Sequence, residues 1–310
     1  MNTSNEPSSQ SSAAISSSAN RDSSGASDSK RFQLAIFTLW KREMVTFFRT
    51  RSRLATALAF PVMLWLMLGF GLNNSFQIQT AAPQSGETAA TPDVISTSLD
   101  AAAQAQAADI GYLAYFFPGI IVMVLLFTAI FSTISVIDDR KSGFLQGVMV
   151  APVSRLAIVL GKILGGATVA IVQAFILTIL IWPTLTIPNA SFLGLIPAAI
   201  AMIIVAISLT AMGLAIAWPM DSTAAFHGIM NVLLMPMWFL CGALFPFSGA
   251  PIGLKALMLI NPLTYGYTVV SAHLIGTENH SIPLSIAWVI MIGFTALLVW
   301  LSVRVASKQA

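Results

Sequence analysis

The side chains able to do chemistry in this sequence are few, and their spacing does not favour it. The histidines are His227, His273 and His280, and none forms an HExxH pair or another close metal-ligand spacing with acids. No GxSxG segment sets a serine on a nucleophile elbow. The single cysteine, Cys241, lies in an apolar run and reads as a small buried hydrophobe that cannot form an intrachain disulfide. No catalytic residue and no metal ligand is assigned. A GxxxxGK[ST] loop is also absent, so ATP cannot be bound through a Walker motif. If the chain takes part in pumping, the energy must arrive from another polypeptide.

Polar groups gather instead in Asp138–Arg155, DDRKSGFLQGVMVAPVSR, between long apolar runs. Asp138, Asp139, Arg140 and Lys141 mark where an apolar helix leaves the membrane. Gly143 permits a turn. Phe144, Leu145, Val148 and Met149 recur at helical spacing, which predicts a short helix with one apolar face. Pro152 ends it, and Ser154 can cap the next helix, which runs through Arg155 and Lys162 back into the membrane. A short helix of this kind can lie on lipid or fill a groove in a partner.

The elements around it follow from composition. The chain is 56% hydrophobic and 9% charged, with a mean hydropathy of +0.83. An ordinary soluble domain is about one quarter charged, so a soluble globular fold is excluded and most of the chain must have lipid as its solvent. Net charge +3 reflects where the bases sit and carries no sign of nucleic acid. Residues 1–29 are rich in Ser, Ala and Asn without apolar periodicity and read as a disordered tail, ahead of a transmembrane domain over 30–310.

Lys30–Arg53 has the pattern of a basic amphipathic helix at the membrane interface. Arg42, Thr46, Arg49 and Arg53 share one face, and Phe37, Trp40, Met44 and Phe47 the other. The charged face suits anionic headgroups or an acidic partner. Six apolar spans follow: Leu54–Leu72, Tyr112–Ile137, Ile163–Trp182, Phe192–Trp218, Ala224–Phe245 and Ile282–Val303. Each must be helical, because unpaired backbone groups in lipid cost several kcal/mol. Of the fifteen Lys and Arg, only Lys255 falls on the side opposite the basic N-terminal segment, the Asp138–Lys162 loop and the C-terminus. Both termini and that loop are therefore expected in the cytoplasm. The external loop over 73–110 carries Glu87, Asp93, Asp100 and Asp109 and no base.

Pro246–Gly276 is broken by Pro251 and Pro262 and is too short for two crossings. It reads as one or two short re-entrant helices between spans five and six. Asp221 is expected to cap span five, with Ser222 and Thr223 beside it. Gly161, Gly165 and Gly166 form a small-residue face for close packing within the bundle, and Gln173, Thr178 and Asn231 are polar groups inside spans that can bond neighbouring helices. The middles of the spans hold no Asp, Glu, Lys or Arg of the kind an ion-coupled carrier usually uses.

The order of these elements resembles a known family. A second span ending FPGIIVMVLLFTAIFSTISVIDDRKSGFLQGVMVAPVSRLAIVLGK, with a later CGALFPFSGAPIGLKALMLINPLTYGYTVV, is similar to the permease subunit of type II bacterial ABC exporters, in the branch that includes drug-resistance efflux permeases. The resemblance implies a coupling helix seated in a separate ATP-binding subunit, with Arg140, Gly143, Phe144, Leu145, Val148, Met149, Pro152 and Arg155 at that contact. It implies a connecting helix over 30–53 bearing Trp40, Arg42, Glu43, Phe47, Arg49 and Arg53. It also implies an outer gate at Gly242, Phe245, Pro246, Asn261, Pro262 and Tyr265. Two permeases, as a homodimer or heterodimer, would work with two ATPases that hold ATP and magnesium, while this chain itself holds no cofactor. The setting would be the bacterial inner membrane, and the cargo an apolar or amphipathic molecule moved outward. The family commonly has an acid after the arginine and another in the coupling helix. Here those positions are Lys141 and Gln146, which implies an ATPase groove of compensating charge. The rival classes are a non-transporting membrane scaffold of the same fold and an ion-coupled carrier.

Overall fold

The structure, a computed structural model, describes residues 29–47, 49, 59, 61–67, 112–150, 153–185, 192–244, 247, 250–276 and 282–308. Most of the Ser-rich tail, Arg53, the loop over 73–110, Pro152, Phe245 and Pro246 lie outside them. The first expected span is described only at 59 and 61–67.

Every regular element among the described residues is helical, as a chain this apolar requires. We number them α1 (29–47), α2 (61–67), α3 (Tyr112–Ser132), α4 (Ile134–Lys141), α5 (Phe144–Val150), α6 (Arg155–Ile181), α7 (Leu195–Ala217), α8 (Thr223–Phe239), α9 (Ile252–Ile260), α10 (Pro262–Ile275) and α11 (Leu284–Lys308). By length and composition, four stretches among the described residues suit a membrane crossing: Ala114–Lys141, Arg155–Ile181, Leu195–Ala217 and Leu284–Lys308. They match the expected second, third, fourth and sixth spans.

Helix α7 is the hub and packs on α3, α6, α10 and α11. Lipid tails are as apolar as leucine, so burial from water does not hold such helices together and close van der Waals contact must. Small residues supply it: Ala198, Ala201 and Ala206 on α7 are fully buried beside Phe116, Phe117 and Ile120 of α3. Gly213 of α7 lies against Ile130, where a β-carbon would come 3.1 Å from the Ile130 Cα. The outward residues are large and apolar, such as Ile179 of α6 and Val289 of α11, in keeping with contact with lipid.

One span differs from its expected bounds. The fifth was expected to reach Phe245, but α8 ends at Phe239 after 17 residues, about 26 Å at 1.5 Å per residue against a hydrocarbon core of ~30 Å. Side chains from the next segment stop it. Asn261 Nδ2 donates to Met237 O at 2.6 Å and Thr264 Oγ1 to Leu240 O at 3.2 Å. Gly242 then turns the chain with φ of 99°, a backbone region that favours glycine. The break at Pro262 is as expected: Asn261 Oδ1 accepts from Leu263 N, with proline in the first turn of α10.

A further close approach outside the hub is between α3 and the turn after α8. A β-carbon on Gly119 would lie 2.5 Å from that of Ala243. Gly119→Leu is expected to lower stability by about 1–3 kcal/mol through overpacking, as a depressed thermal midpoint in detergent. An unchanged midpoint would show that this contact is slack.

Candidate functional site

At the end of the bundle where α1 docks, four charged side chains from three helices meet. Lys162 of α6 donates from Nζ to Glu43 Oε1 of α1 and to Asp139 Oδ2 of α4, and to Ser135 Oγ at 3.3 Å. Arg42 of α1 forks onto the same carboxylate, with Nη1 2.7 Å from Asp139 Oδ2 and Nη2 on Oδ1. The Lys162 side chain is 3% exposed and that of Asp139 7%. Desolvating charges so deeply is costly unless each is paired and hydrogen-bonded. Two bases against two acids, with a bidentate arginine, meet that condition. The Asp139 hydrogen bond raises the Arg42 pKa above its ordinary value against the opposing effect of burial.

Glycines let the helices come close enough for this. A β-carbon on Gly161 would lie 2.9 Å from Leu39 Cβ, and one on Gly165 2.7 Å from Glu43 Cβ. The small-residue face of α6 is therefore the seat of α1. Trp40 Nε1 donates to Thr168 Oγ1 at 3.0 Å one turn further on. Gly166 takes the neighbouring approach of Ser132.

This corrects the expected orientation of α1. Its inward face is Leu39 and Glu43, with Arg42 turned to Asp139, whereas Phe37 is 56% exposed. The periodicity of α1 predicts Arg42 on the face toward headgroups or a partner. A bidentate pairing with a buried acid outweighs headgroup attraction for that one residue. Arg49 is exposed, Phe47 is partly buried, and Arg53 lies outside the described residues.

The same α4 turn carries Arg140, which reaches the α7–α8 turn. Its Nη2 donates to Trp218 O, and its Nη1 to Asp221 Oδ1 at 3.0 Å and Met220 O at 3.4 Å. Asp221 thus pairs with Arg140, and the cap of α8 is Ser222, whose side chain accepts from Ala225 N. The expectation that Asp221 caps α8 is corrected.

The short helix forms over Phe144–Val150, as its spacing predicts. Gly143 turns into it with φ of 75°, and Ser154 caps α6 by accepting from Ala157 N. Leu145 is buried inward, Val148 is partly buried, and Phe144, Met149 and Val150 are exposed, Val150 at 88%. Arg42 stacks over the Phe144 ring, 3.8 Å from its centroid, so α1, α4 and α5 meet at one guanidinium. Lys141 and Gln146 are both exposed. Arg155 stands 3.5 Å from Ala306 O and Ser307 O at the end of α11.

The residues expected at a gate gather elsewhere. Tyr115 OH donates to Gly242 O at 3.3 Å, Tyr265 OH to Leu259 O at 2.8 Å, and the Gly242 turn lies against the Tyr267 ring. With Asn261 and Pro262 they join α3, α8, α9 and α10. Gln173 accepts from Thr128 Oγ1 at 2.5 Å, a bond between helices as expected, while Thr178 bonds Ala174 O within its own helix. Asn231 is exposed on α8, and the His227 ring lies 5.2 Å from that of Phe131. Among the described residues no cluster of His, Cys, Asp and Glu could hold a metal.

Asp139 and Lys162 are the members that sequence reasoning missed, having read them only as boundary and orientation charges. A usable signal existed: a lysine inside the glycine frame of GKILGG, where close helix approach leaves little room for water.

The family model described as ABC-2 type transporter matches residues 34–275, and the chain belongs to that family. It is 29% identical over 155 residues to a putative transport permease, ycf38, of Cyanophora paradoxa, covering 50% of this chain and 53% of that protein. It is 32% identical over 161 residues to the probable multidrug ABC transporter permease YbhR of Escherichia coli K12, covering 51% of this chain and 42% of the relative. The chain thus spans about half the length of the curated relatives it matches.

Lys162→Met is expected to cost about 3–5 kcal/mol, because buried acid is left underpaired. Adding Glu43→Met should recover most of that loss, since Arg42 still serves Asp139. Thermal unfolding of the single and double variants measures the coupling, and strict additivity would rule the cluster out as a unit.

Proposed function

We propose that the chain is the permease subunit of an ATP-driven exporter in a bacterial cytoplasmic membrane. In this reading it crosses six times with both termini in the cytoplasm, and α9 and α10 are re-entrant helices at the outer gate around Gly242, Asn261, Pro262 and Tyr265. Helix α1 is the connecting helix and α5 the coupling helix. A separate ATP-binding subunit holds ATP and magnesium, and two permease copies, identical or related, form the path.

The observation that carries this reading is α5. It is anchored by buried Leu145 and by Arg42 over Phe144, yet it leaves Met149 and Val150 uncovered. An apolar helix tip on a charged frame suits insertion into a groove. Membership of the ABC-2 family supports the pairing with an ATPase. The name of the Escherichia coli relative, a multidrug permease, supports export. An apolar or amphipathic cargo agrees with the exposed face of α8, where Ile229, Val232 and Met235 flank Asn231.

The test is co-purification with an ATP-binding subunit of the same organism, then reconstitution into vesicles. Export should need ATP and stop when the ATPase subunit is left out. Transport by the chain alone on an ion gradient would sink the proposal. Val150→Asp changes a residue that is 88% exposed, so stability should move by no more than about 0.5 kcal/mol. Retention of the ATPase should fall about tenfold or more, equivalent to ~1.4 kcal/mol. Undiminished retention would remove α5 from the contact.

A further inference from the structure

We infer that Arg140 is the strut that passes displacement of α4 and α5 to α8, a positioning role distinct from contact with the ATPase. This rests on the exporter reading. Asp139 and Arg140 are adjacent on α4 but face different neighbours. Asp139 is held by Arg42 of α1 and Lys162 of α6. Arg140 is held by the turn between α7 and α8, through Trp218 O, Met220 O and Asp221.

The turn can carry force because it is short and its acceptors are fixed. Trp218 is the C-terminal cap of α7 and is 3% exposed. Its carbonyl is one that a helix end leaves without an intrahelical donor, and a cation there also meets the negative end of the helix dipole. Ser222 caps α8 directly after Asp221. A guanidinium that binds Trp218 O, Met220 O and Asp221 therefore grips the start of α8.

The two helices joined by this turn are not equally free. Helix α7 is wedged among α3, α6, α10 and α11. Helix α8 packs on α3 and α4, and only Phe226, Met230, Leu234, Met237 and Trp238 along it are buried. A pull on the turn moves α8 first. Gly228, whose added β-carbon would meet nothing within 4 Å, lies on its uncovered side.

The carbonyls, and not the acid, carry the contact. The Asp221 side chain is 84% exposed, and an ion pair so wet contributes little. Asp221→Asn should therefore behave nearly as the natural chain. Swapping the charges, Arg140→Asp with Asp221→Arg, should not restore function, because aspartate cannot donate to Trp218 O or Met220 O.

The experiment places spin labels, in a Cys241→Ala background, at Lys141 on α4 and Val232 on α8, with a reference label at Val289 on α11. Distances are read in the reconstituted complex with its ATP-binding subunit, with and without magnesium and a non-hydrolysable ATP analogue. In the otherwise natural chain both distances should shift with nucleotide. In Arg140→Gln the Lys141 shift should persist and the Val232 shift should fall by at least half. Arg140→Lys, which keeps one donor group and the charge, should give an intermediate shift and guards against a folding defect. A full Val232 shift in Arg140→Gln overturns the inference, as does its recovery in the charge swap, its full size in Arg140→Lys, or joint loss of both shifts in Arg140→Gln. A Lys141 shift with no Val232 shift in the natural chain also overturns the inference, and absence of both shifts there overturns the exporter reading itself.

Discussion

The architecture at the charged end depends on one carboxylate. Asp139 accepts from Arg42 and from Lys162, and so binds α1, α4 and α6 at one point. In a low-dielectric setting no member of that cluster can be desolvated alone, so a charge can be lost only together with an opposite one. The glycines of α6 make the arrangement sterically feasible. They remove the β-carbons that would hold Leu39 and Glu43 away. Charge and packing here are one requirement: the ion pairs need dryness, and dryness needs the close approach.

The ends of the bundle use polar groups differently. At the charged end, side-chain ions join helices that are far apart in sequence. Around Asn261, amide and hydroxyl groups finish helices by taking the carbonyls of Met237, Met258 and Leu240. Trp238 Nε1 adds a bond to Gly119 O at 3.0 Å. Between these two fixed regions α8 has one buried face and one bare face.

Local features of the fold were legible in the sequence. The apolar runs of α3, α6, α7 and α11, the short helix bounded by Gly143, the Ser154 cap and the break at Pro262 each follow from rules acting over a few residues. The orientation of α1 was not legible. Its periodicity displayed two faces, but the choice between lipid and protein rests on Asp139, 97 residues away in the chain. The end of α8 was hidden for the same reason: its run of apolar residues continues past Phe239, and the donor that stops it is Asn261. The family resemblance implies an ATPase contact for Arg140, and only the fold shows that it faces the α7–α8 turn.

The buried cluster also orders events in time. A chain is made from its N-terminus, so Arg42 and Glu43 emerge well before Asp139, and Lys162 comes last, 119 residues after Glu43. Until then α1 has neither its counter-charges nor the glycine seat on α6. The outward side of α1, with Leu34, Phe37 and Val45 exposed, gives the waiting helix a means of resting on the bilayer surface. Docking of α1 on this seat therefore cannot precede the synthesis of α6, which lies about midway along the chain.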